Sequence, residues 1–319
     1  MLVPSGDAVL DAALEPLGPF FRKRDLVEIS VNRAGEIGLE IAGKGYAFER
    51  VPWMTHRFWE DICHTLANKA GHAFDPLEQP RVSTRLPGGH RFEAMLGKSV
   101  LSGLTVSIRI KRKAQASLDD FGLAGQVRSE IEAAIGQGAN VVISGGTSSG
   151  KTTLANLLLP LIPTDRRVLT IEDTPELDPP HPNRVAHIVS RNEANPRVGY
   201  AEVFDHAMRS RPDQILLGEL SIPNAFPALL LLNSGHRGFL CTMHADSAAL
   251  ALEEGFYQRV ALSGHTEIDP DYLARYLRRT VDLVVQVAKI GRDRRLVTEL
   301  WWPGRGEPKR LFDAETLKP

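Results

Sequence analysis

Residues 140–153 read NVVISGGTSSGKTT, an apolar β-branched run that breaks into a Gly-Ser loop and resumes as the Lys-Thr-Thr start of a helix. Within it, Gly145 to Thr152 fits G-x-x-x-x-G-K-[ST], with the strand before and the helix after that a phosphate-binding loop requires. Glycine leaves backbone N–H groups free to converge on phosphate oxygens, and the start of a helix adds partial positive charge. Gly145, Gly146, Thr147, Ser148, Ser149 and Gly150 are therefore the expected cradle, and Lys151, Thr152 and Thr153 open the helix. Lys151 is placed to reach the β- and γ-phosphates of ATP, and the Thr152 hydroxyl to ligate Mg²⁺. A chance Gly-Ser loop is the bland alternative, and the strand–loop–helix order argues against it.

Outward from this loop, the chain of 319 residues is long enough for about two domains. Its 38 Lys+Arg against 39 Asp+Glu leave a formal charge of −1, without the basic excess of a protein built to coat nucleic acid. The most apolar stretch, AFPALLLLN (225–233), is too short to span a bilayer and contains Pro227. The first residues, MLVPSGDAVLDAALEPLG, lack the basic start and unbroken apolar core of a secretory signal. Cys63 and Cys241 are far apart and outside any C-x-x-C spacing, which suggests neither a zinc site nor a disulfide framework. A reducing cytoplasm is the simplest setting.

The pattern changes near residue 114. Before it, DLVEISVN (25–32) and EIGLEIAG (36–43) read as a hairpin turning at Arg33-Ala34-Gly35. WMTHRFWEDICHTLANKAGH reads as an amphipathic helix whose apolar stripe is Phe58, Ile62, Leu66 and Ala70. RVSTRL (81–86), HRFEAML (90–96) and LTVSIRIKR (104–112) follow as strands, with a turn at Pro87-Gly88-Gly89. An α+β domain over 1–113 and a linker over 114–125 are expected. From 126 to 319 apolar strands alternate with helices, which predicts an α/β domain. The strands are 140–145, 167–173, 184–190, 214–220 and 238–244; the helices are 150–161, 199–210, 222–234 and 247–263. Residues 281–290 and 294–302, joined at Gly291-Arg292-Asp293, read as an antiparallel addition.

Two apolar strands end in acids: Ile171-Glu172-Asp173 and Leu216-Leu217-Gly218-Glu219. In a parallel sheet such ends collect at the edge that carries the phosphate loop. Either of Glu172 and Glu219 can hold Mg²⁺ through water while the other orients the attacking water. The bland reading of each acid is a helix cap or a solvated loop. Ser234-Gly235-His236-Arg237-Gly238 precedes the strand that ends at His244, so His244 belongs at the same edge, where its imidazole can meet the γ-phosphate or its water.

In this order the motifs closely resemble the secretion and traffic ATPases of type IV secretion systems, the VirB-type family related to type II secretion and pilus motors. The likeness covers most of 25–250. RVLTIEDTPEL (167–177) is similar to that family's Asp box, PDQILLGEL (212–220) to its Walker B strand and SGHRGFLCTMHADS (234–247) to its His box. HAMRSRPD (206–213) resembles its Arg-rich approach to Walker B, and ISVN (29–32) its first-domain signature. LPGGHRF (86–92) and SIRIKR (107–112) resemble the segments that bring first-domain arginines over the nucleotide.

The resemblance implies a RecA-like P-loop NTPase domain preceded by a smaller α+β domain, with ATP bound between them. It implies a hexameric ring of subunits energising export, conjugation or pilus assembly, docked on inner-membrane components from the cytoplasmic side. It places catalytic duty on Lys151, Glu172, Glu219 and His244, and nucleotide contacts on Arg91, Arg109, Arg209, Arg211 and His236. Arg209 and Arg211 have as alternatives a role in shaping the phosphate-loop edge or a contact with a neighbouring subunit, and Arg91 and Arg109 have water as theirs. This chain departs from the family at Ser221, where an arginine is common, so that a contact is lost or supplied elsewhere. It also lacks the four-cysteine module usual in the type II branch. A nucleic-acid-stimulated RecA-like helicase and a nucleotide-gated scaffold are the readings from other classes.

Overall fold

Alternation of apolar and polar residues builds the first half of the protein, and continuous apolar runs build the second. The structure is a computed structural model that describes residues 4–71, 73–111, 116–189, 198–291 and 294–312. It divides into two compact units, which among the described residues are 4–111 and 116–312. Arg112, Lys113, Ala114, Gln115, Ser190, Arg292 and Asp293, to which strand ends, the linker start and a turn were assigned, lie outside the described residues.

The first unit opens with α1 (Ala8–Leu14), whose N-terminus is capped by the Asp7 carboxylate accepting from the Val9 and Leu10 N–H groups, and α2 (Gly18–Phe21). A hairpin of β1 (Leu26–Val31) and β2 (Glu36–Ile41) follows, then β3 (Gly45–Arg50), α3 (His56–Ala70), β4 (Arg81–Arg85), β5 (Arg91–Leu96) and β6 (Leu104–Arg109). The six strands lie in the order β3-β2-β1-β6-β5-β4, every neighbouring pair antiparallel. One face is apolar: Ile29, Val31, Ile37, Leu39, Phe92, Val106 and Ile108 are buried with residues of α1 and α3. The α3 seam is Trp59, Ile62, Cys63, Leu66 and Ala67, with Ala70 exposed. The expected stripe in steps of four missed this, because each such step advances about 40° around a helix of 3.6 residues per turn.

The second unit contains α4 (Gly125–Gly136), β7 (Val141–Gly145), α5 (Lys151–Leu158), β8 (Val168–Glu172), β9 (Arg184–Ile188), α6 (Tyr200–Arg209), β10 (Gln214–Leu217), α7 (Ile222–Asn233) and β11 (Phe239–Met243). After these come α8 (Ala248–Leu250), a π-helical turn (Ala251–Gly255), α9 (Phe256–Leu262), α10 (Pro270–Thr280), β12 (Leu283–Ile290), β13 (Arg294–Trp301) and β14 (Lys309–Arg310). Its sheet runs β14-β13-β12-β7-β11-β10-β8-β9. Strands β12 to β9 in that order are parallel, and β7, β8, β10 and β11 are buried along their whole length. This is what continuous apolar runs produce when helices cover both faces. Val141, Ile143, Leu216 and Leu240 join α4 and α5 in one core, while Val142, Ile171, Leu217 and Cys241 join α6, α7 and α9 in the other.

Two expectations are corrected here. Leu118, Phe121 and Leu123, in the stretch read as a linker, are buried in the core of the second unit, so 116–125 is packed rather than a tether. The second concerns where the terminal hairpin joins: β12 and β13 are antiparallel to each other as expected, but β12 runs parallel to β7. The reason is α10, which the sequence reading passed over. It is capped by Asp269, buries Leu273 and Leu277, and carries the chain back so that β12 starts at the same edge as β7.

Candidate nucleotide site

The phosphate loop leaves the sheet at the end of β7, where backbone packing dictates glycine. A Cβ on Gly145 would lie 2.2 Å from the Val287 carbonyl oxygen of β12. Gly150 has φ 97°, a left-handed conformation that a side chain disfavours. Gly146, Thr147 and Ser148 are exposed between them, and Ser149 is buried. Helix α5 begins at Lys151, and its first-turn N–H groups, those of Thr152 and Thr153 among them, have no acceptor within the helix. An anion at this point meets both these donors and the positive end of the helix dipole.

The Lys151 ammonium folds back on its own loop. Nζ donates to the carbonyl oxygens of Gly145 at 2.9 Å and Gly146 at 2.8 Å, and lies 3.3 Å from His244 Nδ1. Burial lowers its pKa and the nearby Glu219 carboxylate opposes that shift. Since an ammonium only donates, His244 Nδ1 is the acceptor and the proton of the neutral ring sits on Nε2. That nitrogen is 3.4 Å from Glu219 Oε1. Burial, then Lys151, lower the imidazole pKa, while Glu219 opposes them. Lys151, His244 and Glu219 thus form one continuous row.

Strand order explains the row. On one side of β7 lies β11, which leads to His244, and the next is β10, which leads to Glu219. The two strand ends are stitched together. Leu220 N–H donates to Thr242 O at 2.7 Å, and Thr242 Oγ1 donates to Gly218 O at 2.6 Å. Asn224 Nδ2 donates to Glu219 O, and the Ser221 N–H donates to Asn224 Oδ1, so Ser221 serves the start of α7. Arg259 is another cation of this region: burial lowers its pKa and the charge of Glu219 opposes that shift. Sequence reasoning missed Arg259 because it lies in no motif.

Glu172 stands one strand further out, on β8, and is 2% exposed. Its Oε1 accepts from the N–H groups of Glu176 at 2.7 Å and Leu177 at 3.0 Å, which shapes the loop after the strand. Gly218 lets it approach β10, since a Cβ there would lie 2.8 Å from Glu172 Cγ.

Three expected contacts are not assembled with Lys151 in this chain. Arg209 ends α6, while Arg211 and His236 precede β10 and β11. Strands β10 and β11 run parallel to β7, so these residues lie at the opposite edge from the phosphate loop. Strands of four or five residues separate the edges by roughly 13–17 Å. Arg209 is occupied by Asp205 at 2.9 Å on the surface of α6. In the first unit, Arg91 and Arg109 are direct cross-strand partners, and Arg85 is opposite Arg91. Arg91 Nη2 is 3.3 Å from Glu93, and Arg109 is exposed. Glu28 continues this row beside Arg109, so the like charges are flanked by acids within the sheet itself.

Among the described residues no group of three or more His, Cys, Asp and Glu side chains is gathered to hold a metal. Mg²⁺ does not need one, because it is held by one or two protein oxygens together with substrate phosphates and waters. Partly buried Thr152 at the loop and the half-exposed Glu219 carboxylate fit that requirement. The Glu172 carboxylate, buried and already accepting two N–H groups, fits it less well.

A phosphate loop on a central parallel strand, with a histidine and an acid from the next two strand ends, defines a RecA-like P-loop NTPase domain. The family described as type II/IV secretion system protein matches residues 15–255, and the chain belongs to it. That class comprises the motor ATPases of type IV secretion, conjugation and pilus systems. The type IV secretion system protein VirB11 of Bartonella henselae is 29% identical over 335 aligned residues, covering 92% of this chain and 93% of the relative. The conjugal transfer protein TrbB of Rhizobium radiobacter is 33% identical, covering 85% and 82%. Among solved structures, the Legionella pneumophila ATPase DotB shares the fold with a TM-score of 0.58 at 20% identity, covering 97% of this chain and 82% of that one.

Proposed function

We propose that the protein binds ATP on residues 145–153 and hydrolyses it, and that turnover drives a type IV secretion or conjugation machine. The observation that carries this is the row Lys151–His244–Glu219 at the mouth of the phosphate loop. The ammonium rests on the Gly145 and Gly146 carbonyls, and phosphate oxygens offer it stronger, charge-assisted partners. Its departure leaves His244 Nδ1 free to accept from water or to meet the γ-phosphate, while Nε2–H faces Glu219. Glu219 then serves as the general base that orients and deprotonates the attacking water, and Thr152 directly and Glu219 through water would hold Mg²⁺. The metal, when bound, neutralises charge on the β- and γ-phosphates. Glu172 supports the site from the adjacent strand, by fixing the 172–177 loop.

Around this chemistry we place a homohexameric ring on the cytoplasmic side of the inner membrane, held there by protein partners. No helix among the described residues is long and apolar enough to cross a membrane. Arg91 and Arg109 are retained as phosphate-responsive cations, for which the exposure of Arg109 beside Arg91 is the support. Arg209 and Arg211, at the far edge of the sheet, are assigned to a neighbouring copy.

Glu219→Gln tests the assignment directly. It should bind ATP with an affinity close to that of the wild type and fail to turn it over. A variant that hydrolyses ATP normally would remove Glu219 as the base, and the same behaviour expected of Glu219→Gln, if seen in Glu172→Gln alone, would transfer the role to Glu172.

A further inference from the structure

Helix α9 is preceded by a turn that ordinary α-helical geometry does not contain. Across Ala251–Gly255 the chain is π-helical, and the Phe256 N–H donates to the Ala251 carbonyl, five residues back. Such a turn inserts one residue and redirects the side chains that follow it, and π-helical turns recur at functional sites. The side chain redirected here is Arg259. Its Nη1 donates to the Gly255 carbonyl at 2.7 Å and its Nη2 to the His244 carbonyl at 2.9 Å. One guanidinium therefore joins the π-turn to the strand end that presents the site histidine.

The surroundings are fitted to this bridge. A Cβ on Gly255 would lie 3.2 Å from Arg259 Nη1, 3.1 Å from the Leu250 carbonyl and 3.2 Å from Met243 Cε. The guanidinium is partly buried, its charge is opposed by desolvation, and Glu219 is the acid that supports it. Placing a charge here costs free energy that two carbonyl contacts alone repay poorly, and a neutral side chain could fill the same space. What the arginine adds is a fixed carbonyl at His244, and that residue's ring sits between Lys151 Nζ at 3.3 Å and Glu219 Oε1 at 3.4 Å.

We propose that Arg259 is a positioning residue for ATP turnover, which holds the His244 backbone through the π-turn so that the imidazole stays aligned between Lys151 and Glu219. The proposal rests on the assignment of His244 to the nucleotide site. It makes no claim that Arg259 touches nucleotide.

A double-mutant cycle on the full-length assembled protein tests it. ATP hydrolysis is measured with Mg²⁺ for wild type, Arg259→Met, His244→Ala and the double variant, with thermal melting of each and Arg259→Lys as a second probe. Arg259→Met should lower kcat about 10- to 100-fold, the scale of a misplaced catalytic group, with KM for ATP changed less than about 3-fold. In the His244→Ala background the same change should cost less than about 2-fold. Arg259→Lys, which keeps the charge but not the planar two-pronged guanidinium, should fall between. Equal losses in both backgrounds, or a wild-type kcat in Arg259→Met, would overturn the proposal. If Arg259→Met does not fold, the cycle is run with Arg259→Lys and judged by the same non-additivity. A normal kcat in His244→Ala alone would instead sink the assignment of His244, and the proposal with it.

Discussion

Gly145→Ala is the sharpest perturbation the structure offers, because the collision it creates is with backbone. Gly145 is the last residue of β7 and is paired with Val287 of β12 in the parallel register. A methyl group there would stand 2.2 Å from the Val287 carbonyl oxygen and 2.6 Å from Ser149 Oγ, whereas real Cβ contacts stay beyond 3.0 Å. The Ser149 hydroxyl can turn aside, but the Val287 carbonyl is backbone, so strand or loop must move. Overpacking of this kind costs about 1–3 kcal/mol. In a unit of about 200 residues, 2 kcal/mol lowers the melting temperature by roughly 4–8 °C. Displacing the loop by about 1 Å should also cost on the order of 100-fold in turnover. The neighbouring glycine is the internal control, since a Cβ on Gly146 meets nothing within 4 Å. Gly146→Ala should therefore melt within about 0.5 kcal/mol of wild type. The assay is thermal unfolding of the nucleotide-free protein, followed by titration with a fluorescent ATP analogue and steady-state hydrolysis. A wild-type melting temperature in Gly145→Ala, or an equal loss in Gly146→Ala, would refute the claim that contact with β12 sets the position of the phosphate loop.

Other expectations follow from the same geometry. Lys151→Ala should abolish ATP hydrolysis, and activity that survives it in a purified preparation would count against the nucleotide motor. Glu172→Ala strands the Glu176 and Leu177 N–H groups and should cost about 1–3 kcal/mol by thermal melting, whereas Glu172→Gln keeps an acceptor oxygen and should cost less. Arg109→Ala should leave melting unchanged and reduce turnover in the assembled ring; unchanged hydrolysis would take Arg109 out of the mechanism. His187 gives a pH dependence. Burial lowers its pKa, opposed by a Thr170 carbonyl 3.2 Å from Nδ1. The unfolded chain therefore takes up this proton first, near pH 6.5, and stability falls as pH drops through that value towards the lower folded pKa. His187→Asn should flatten that part of the loss between pH 7 and 5.5 without changing stability at pH 8.

The parts of the fold legible in the sequence were those with a local signature. The phosphate loop, the hairpin at 26–41 and each buried parallel strand announce themselves by glycine placement and apolar runs. What was missed depends on context instead. Strand β3 is exposed along nearly its whole length, Tyr46 and Phe48 included, at a sheet edge, so it shows no buried period to detect. Helix α10 buries only Leu273 and Leu277, and its signal was the Asp269-Pro270 start rather than an apolar stripe. Arg259 could be found only through the π-turn, for which the sequence has no recognised mark.

The candidate site shows why strand order matters more than strand identity. Sequence places four candidate residues at or just beyond the ends of strands, in the chain order Lys151, Glu172, Glu219, His244. Treating those ends as one edge makes the two acids equivalent. The sheet reorders them: β7, β11, β10, β8 lie side by side, so distance from the loop increases from His244 to Glu219 to Glu172. Strands about 4.8 Å apart make each step count. Lys151 can share His244 with Glu219, while Glu172 is three strands away from the loop and is consumed by its own backbone contacts. The same reasoning removes His236 and Arg211, which belong to the right strands but to their opposite ends. Direction along a strand selects the edge and position across the sheet selects the role, and neither is a property of a motif.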